Sequence, residues 1–72
     1  MSAQVAGELP MIDCIRQAAG GRDLSAAAMR GAVGAIIGAQ ASQAQIAALL
    51  VALSLKGETA EEIAGAVQAL RA

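Results

Sequence analysis

The chain has 72 residues, a net charge of −1, no histidine, no aromatic residue and a single cysteine. One cysteine cannot form an internal disulfide, and without histidine the sequence offers no plausible set of zinc ligands. Five basic residues and no aromatic side chains also fall short of the charged surface and stacking platform that a nucleic-acid-binding domain needs. A domain of this length has a marginal core, so we expect oligomerisation or a neighbouring domain to support it.

Small aliphatic residues dominate the composition. Hydrophobic residues make up 57% of the chain, and alanine is the most frequent of them. This composition favours close-packed helices over sheets, which are rich in β-branched and aromatic residues. We therefore predict an all-α fold, a compact bundle of four short helices with the third helix central. The single helical domain is predicted over residues 9–72, after a flexible lead-in over residues 1–8.

The lead-in has neither the basic start nor the continuous apolar segment of a secretory signal. Residues 31–55 carry no charge and are long enough to span a bilayer. However, three glutamines and a helix cap occupy the middle of this stretch, which disfavours a membrane span. We therefore predict a protein that is not in the membrane, and the unpaired cysteine favours a cytoplasmic location.

Pro10 predicts the start of the first helix, because proline suits the first helical position. Ile12 and Ile15 share its apolar face, and the helix is predicted to end at Gly20-Gly21. Cys14 lies at the border of the apolar face. Nothing in the sequence indicates the electropositive surroundings of a reactive thiol, so we interpret Cys14 as a half-buried structural residue.

The second helix is predicted to begin after Ser25, which is a suitable cap, with Leu24 packing against Met29 one turn into the helix. Gly31 and Gly34 lie opposite the apolar face. They indicate either the close approach of a neighbouring backbone or a weak, exposed helix, and both interpretations stay open. A phosphate-binding loop is disfavoured because no strand precedes these glycines.

The third helix is predicted between Ser42 and Gly57. Ser42 and Gln45 have the spacing of a capping box, and Lys56 followed by Gly57 is a typical helix end. The helix is apolar on opposite sides, which indicates burial between two layers.

In a chain this short, one of those two layers is expected to be a second copy of the chain. The core face is predicted to contain Ile46, Leu49, Leu50 and Leu53. The opposite face is predicted to form a homodimer interface, with help from the first helix, and contains Ala44, Ala48, Val51 and Leu55. The alternative is that the first helix covers this opposite face within one molecule.

Thr59 is predicted to cap the fourth helix, with Glu62 as its capping-box partner and Glu61 beside it at the positive end of the helix dipole. The inward face of this helix is predicted to contain Ile63, Ala66, Val67 and Leu70. The chain offers no set of nucleophile, base and orienting group, so we assign no catalytic, cofactor-binding or metal-binding residue. Glu61 and Glu62 are the only acid–base candidates, but adjacent helical residues point in different directions, which favours capping.

Four segments together resemble a known family: Asp23-Leu24-Ser25, residues 45–53, Lys56-Gly-Glu-Thr-Ala-Glu-Glu-Ile-Ala-Gly65 and Ala69-Leu-Arg71. They are similar to the N-terminal helical domain of anthranilate phosphoribosyltransferase, in the glycosyltransferase family 3 and nucleoside phosphorylase group. The resemblance extends over residues 11–72, and its most specific part is residues 56–65. The pyrimidine nucleoside phosphorylases have a version of that segment that is less like this one. The chain departs from the family pattern at Gly38-Ala39-Gln40, where glycine followed by an acid is common, and at Gln43, where proline is common.

This resemblance implies a helical domain that is joined by hinges to a larger α/β domain, lines one side of the active-site cleft and forms much of a homodimer contact. The family's glycine-rich phosphoribosyl-diphosphate loop and acidic magnesium-binding residues belong to the larger domain, and neither motif occurs here. No catalytic residue is therefore carried over, and magnesium is expected only with the larger domain. The resemblance implies a non-catalytic domain of a pentosyltransferase of tryptophan biosynthesis. The alternative is a stand-alone helical module for protein interaction or oligomerisation, and a net charge of −1 disfavours nucleic-acid binding.

Overall fold

The computed structural model describes residues 9–71 of the chain. This part folds into four helices: α1 (Met11–Ala19), α2 (Ala26–Ile37), α3 (Gln43–Lys56) and α4 (Ala60–Arg71). The predicted all-α bundle of four short helices is therefore confirmed. The lead-in predicted over residues 1–8 lies outside the described residues. Within residues 9–71, no helix combines the length and the apolar character that a membrane span requires.

Side-chain caps begin α2 and α3, as predicted. The hydroxyl of Ser25 accepts a hydrogen bond from the amide of Ala28 at 3.0 Å. Ser42 and Gln45 exchange two bonds, because the Ser42 hydroxyl accepts from the Gln45 amide at 3.1 Å and the Gln45 side chain accepts from the Ser42 amide at 3.0 Å. Pro10 is the N-cap of α1, one position before the helical position that the sequence predicted.

The helices pack mainly as two pairs, α1 with α3 and α2 with α4, and α1 also contacts α2. Between the pairs lies a core composed of Cys14, Ala18, Leu24, Ala28, Met29, Ala32, Leu49, Ala52 and Leu53. Leu24 and Met29 both belong to this core, as expected for the predicted contact at the start of α2. Cys14 is completely buried, and thus deeper than the half-buried position that its sequence pattern predicted.

A glycine allows a close approach between α2 and α4. Gly65 is buried, and a Cβ added to it would overlap the carbonyl group of Ala26. Gly34 is exposed, and a Cβ added there would have no atom within 4 Å. At Gly34 the interpretation of an exposed helix face is therefore correct, whereas the close backbone approach occurs at Gly65.

Helix α3 buries only one of its sides within the described chain. Leu49, Ala52 and Leu53 are buried, but Leu50 is 57% exposed. The prediction that Leu53 belongs to the core is confirmed, and the same prediction for Leu50 is wrong. The buried side of α3 is rotated towards the small Ala52, which lies between Leu49 and Leu53 and borders the contact with α1.

Candidate functional site: two apolar grooves and a buried ion pair

An open apolar groove lies between α1 and α3, with a volume of about 540 Å³. The residues of α1 that line it include Ile15, Ala18 and Ala19, and those of α3 include Ala48, Val51 and Leu55. Small side chains explain the groove, because alanine leaves space above the backbone that a leucine would fill. Such an uncovered apolar surface is typical of a contact with another molecule.

The predicted interface strip on α3 follows this groove. Ala44, Ala48, Val51 and Leu55 are all exposed, and the last three line the groove. Val51 is 58% exposed and Leu55 is 85% exposed, so α1 borders the strip without covering it. The strip is thus accessible in a single copy of the chain, and dimerisation through it stays a prediction.

A second apolar groove, of about 240 Å³, lies between α3 and α4. Leu50, Ile63 and Val67 line this groove and are 57%, 55% and 41% exposed. The prediction that Ile63, Val67 and Leu70 face inward is therefore wrong, and Leu70 is 69% exposed. The reason is that α4 packs on α2 through the side that carries Gly65, which turns its larger residues away from the core.

At the junction of the two helix pairs, Glu62 is a completely buried charged residue. Its Oε1 accepts hydrogen bonds from Lys56 Nζ and from the Thr59 amide, both at 2.9 Å. Its Oε2 accepts from the Leu24 amide at 2.6 Å. The Thr59 hydroxyl accepts from the Glu62 amide at 3.1 Å, which confirms the predicted capping box of α4.

Lys56 completes the ion pair from the last turn of α3. Its Nζ lies 2.9 Å from Glu62, 3.0 Å from the Asp23 carboxylate and 2.8 Å from the Gly57 carbonyl oxygen, so its three donors are all used. The Lys56 side chain is only 4% exposed, whereas Asp23 is 65% exposed. The network therefore connects the α1–α2 loop, the end of α3 and the start of α4.

The ion pair shifts the pKa of both partners towards their charged forms. Burial alone would raise the pKa of Glu62, but hydrogen bonds from Lys56, Leu24 and Thr59 outweigh it, so the pKa is lowered. The hydrogen bond to Glu62 is the main reason that the pKa of Lys56 is raised, and burial opposes that rise. Both groups are therefore charged at neutral pH.

Glu61 and Glu62 do not form an acid–base pair. Glu61 is exposed, and its carboxylate accepts from the Ala26 amide at 3.3 Å, at the start of α2. The Glu62 carboxylate binds the Thr59 amide, as the predicted capping box requires, whereas the Glu61 carboxylate binds the first amide of α2 rather than one of its own helix. In the described part of the chain, no three His, Cys, Asp or Glu residues lie close enough to bind a metal ion. Glu62 already accepts three hydrogen bonds, so the network of Glu62, Lys56 and Asp23 does not suit magnesium.

The surroundings of Cys14 are those of a structural residue. Cys14 Sγ lies 3.8 Å from the Leu9 carbonyl oxygen and 3.9 Å from that of Ala28. Burial, with a smaller contribution from Asp13, raises the pKa of the thiol. A raised pKa keeps the thiol protonated and therefore unreactive.

The described residues thus form a helical bundle domain with two apolar surfaces and an internal ion pair. A family described as the glycosyl transferase family, helical bundle domain, matches the chain over residues 12–72. The chain belongs to this family.

Known relatives agree with this assignment. The anthranilate phosphoribosyltransferase of Methylococcus capsulatus is 53% identical over 51 residues, which are 71% of this chain and 15% of the relative. That of Myxococcus xanthus is 42% identical over 60 residues, 83% of this chain and 18% of the relative. That of a Roseiflexus species is 47% identical over 64 residues, 89% of this chain and 19% of the relative. The chain thus spans less than a fifth of these relatives, and no solved structure matches it significantly.

Proposed function

We propose that this chain is the non-catalytic N-terminal helical domain of an anthranilate phosphoribosyltransferase-like pentosyltransferase of tryptophan biosynthesis. The supporting observation is the family match over residues 12–72, together with relatives of that name that align along most of the chain. Phosphoribosyl transfer, and the magnesium ion expected with it, are assigned to a larger α/β domain. A cytoplasmic location is part of the proposal, because the single cysteine has no disulfide partner within the chain.

Dimerisation is the first proposed role of the domain. Leu55 is 85% exposed beside an apolar groove of about 540 Å³, so each copy presents both a protruding side chain and a space to receive one. A two-fold axis would place Leu55 and Val51 of each copy against the groove of the other. The small Ala44 and Ala48 would allow the two α3 backbones to approach closely.

This role is tested by Leu55→Glu, with Leu70→Glu as the matched control, since Leu70 is also exposed but lies on α4 outside the groove. We expect the unchanged chain and Leu70→Glu to sediment as dimers and Leu55→Glu to sediment as a monomer. Circular dichroism should show equal helix content in all three. A monomeric unchanged chain at high concentration, or a Leu55→Glu chain that unfolds, would contradict the proposed interface.

Closing over the substrate cleft is the second proposed role, and it is supported by the family membership. In the full-length protein, the bundle would move as a unit towards the larger domain when both substrates bind. Small-angle X-ray scattering of that protein, with and without anthranilate and phosphoribosyl diphosphate, should show compaction. Unchanged scattering would contradict cleft closing.

The DNA sequence of the gene distinguishes this proposal from the alternative, a stand-alone helical interaction module. We expect the DNA beyond the codon for Ala72 to encode a glycine-rich loop and acidic metal-binding residues. A stop codon directly after Ala72 would favour the stand-alone module.

A further inference from the structure

The Lys56–Glu62 ion pair lies where the two helix pairs meet. Lys56 belongs to α3, which packs on α1, and lines the α1–α3 groove. Glu62 belongs to α4, which packs on α2, and lines the α3–α4 groove. The Lys56–Glu62 ion pair therefore lies between the two apolar surfaces of the domain.

The hydrogen bonds of Glu62 depend on the negative charge of its carboxylate. Its Oε2 faces the Leu24 amide at 2.6 Å, and its Oε1 faces Lys56 Nζ and the Thr59 amide. Each of these partners is a donor, and a protonated carboxyl group carries a donor on one of its oxygens. A proton on Glu62 would remove the negative charge that strengthens all three bonds, and it would bury an O–H group among partners that are themselves donors.

Lys56 is the cation that pairs with Glu62, and carboxylates lie on several sides of this pair. Asp23 of the α1–α2 loop binds the other side of Lys56, Glu58 of the α3–α4 loop lines the same groove as Glu62, and Glu61 is its neighbour on α4. From α2, the residue that lines this groove is the uncharged Met29.

Helices α2 and α3 have caps that do not depend on this network. The capping box of α4 uses the Glu62 carboxylate, but the bond from the Glu62 amide to the Thr59 hydroxyl does not. The Ser25 cap of α2 and the Ser42–Gln45 capping box of α3 lie outside the network. Leu24 depends on it, because this residue is 1% exposed and donates its amide to Glu62. Loss of the network would thus act first on the junction and on the start of α4, while the caps of α2 and α3 remain.

We propose that Glu62 is a proton-operated latch: when its carboxylate is protonated, the α1–α2 loop separates from the start of α4, and the bundle opens at Leu24 while its helices persist. The opening exposes the Leu24 side of the core and alters both grooves together, because Lys56 and Glu62 each line one of them. Since the pKa of Glu62 is lowered, the latch is closed at neutral pH and opens below the ordinary titration range of glutamate.

An NMR titration of the unchanged chain tests the latch. It would follow the side-chain carboxyl resonance of Glu62 and the amide protection of Leu24, corrected for intrinsic exchange, with the amide of Leu49 in the core of α3 as reference. As the pH falls through the midpoint of the Glu62 titration, we expect the amide protection of Leu24 to fall about tenfold or more. The amide protection of Leu49 and the helical circular dichroism signal should persist. The latch is overturned if Leu24 and Leu49 lose protection together, or if Leu24 stays protected after Glu62 is protonated.

The variant Glu62→Gln removes the charge at neutral pH, and Glu61→Gln is its matched control on the adjacent, exposed residue. We expect Glu62→Gln to show low Leu24 protection at neutral pH and Glu61→Gln to behave as the unchanged chain does. Equal Leu24 protection in both variants would overturn the latch. If Glu62→Gln does not fold, the titration of the unchanged chain decides the matter alone.

Discussion

Gly21 and Ala39 occupy the same position of the same helix-ending motif, although only glycine is suited to it. After α1, Gly21 has φ = +81°, and after α2, Ala39 has φ = +58°. In each case this residue and the next donate their amides back into the last turn of the helix, the pattern of a Schellman motif. The Cβ of Ala39 makes this left-handed conformation unfavourable by about 1–2 kcal/mol, and Ala39 lies where the chain departs from the common family pattern.

The variant Ala39→Gly should raise the free energy of unfolding by about 0.5–1 kcal/mol, because relief of the strain exceeds the added entropy of the unfolded chain. The reciprocal variant Gly21→Ala should lower it by a similar amount. Urea unfolding followed by circular dichroism measures both. Destabilisation by Ala39→Gly would show that Ala39 does not hold the left-handed conformation.

The variant Gly65→Ala should destabilise the bundle by about 1–3 kcal/mol, since the added Cβ would overlap the Ala26 carbonyl group and push α4 away from α2. Gly34→Ala is the control, because it adds the same methyl group at an exposed helical position with open space. Gly34→Ala should stabilise the chain by up to about 1 kcal/mol. Thermal unfolding of both variants checks this, and equal effects of the same sign would contradict the close approach at Gly65.

Leu53 and Leu50 should differ sharply although both are leucines on α3. Leu53→Ala removes a side chain that is 3% exposed and should cost about 2–5 kcal/mol of stability. Leu50→Ala, at a position that is 57% exposed, should cost less than about 1 kcal/mol. Denaturant titration of both proteins makes the comparison, and similar losses would mean that the buried side of α3 is turned towards Leu50.

The stability of the domain should fall in acid because of Glu62. Its pKa is lowered by folding, so the unfolded chain binds the proton more readily. The stabilisation is therefore complete above the ordinary glutamate pKa and is lost as pH falls through the lower pKa of the folded state. Chemical unfolding at a series of pH values should show this decline, and Glu62→Gln should flatten it. An equally steep decline in Glu62→Gln would assign the effect to other carboxyl groups.

The isolated chain should not transfer phosphoribosyl groups from phosphoribosyl diphosphate to anthranilate. The sequence contains no glycine-rich phosphate loop, and Glu62 is committed to its hydrogen bonds. The test is a fluorescence assay of anthranilate consumption with magnesium present. Turnover that copurifies with the chain and is absent from a mock purification would contradict the assignment of catalysis to a larger domain.

Local signals allowed the sequence to predict the class and the order of the helices. Ser25, Ser42 and Thr59 each cap a helix as predicted, because a cap depends on residues within one turn. The prediction of which sides of α3 and α4 are buried was partly wrong, because hydrophobicity favours the burial of Leu50 and Ile63 over that of small residues. In the structure the buried sides of these helices contain Ala52 and Gly65, and at Gly65 a close approach to the Ala26 backbone decides the contact.

The candidate site was predictable only where it depended on one helix. The exposed strip with Val51 and Leu55 follows from the periodicity of α3, and the structure leaves both residues accessible. The Lys56–Glu62 pair joins two helices across a loop, and neither propensity nor periodicity fixes such a distance. The sequence indicated this pair only indirectly, because Lys56 and Glu62 both lie in residues 56–65, the segment that most resembles the family.

The pairing of alternate helices has a consequence for how the chain folds during synthesis. The partner of α1 is α3 and the partner of α2 is α4, so most of each helix's contacts lie across an intervening helix. A nascent chain that has released only α1 and α2 holds one member of each pair and can complete neither. We therefore expect cooperative folding to wait until α4 emerges from the ribosome, and a peptide that ends before α4 to remain largely unfolded.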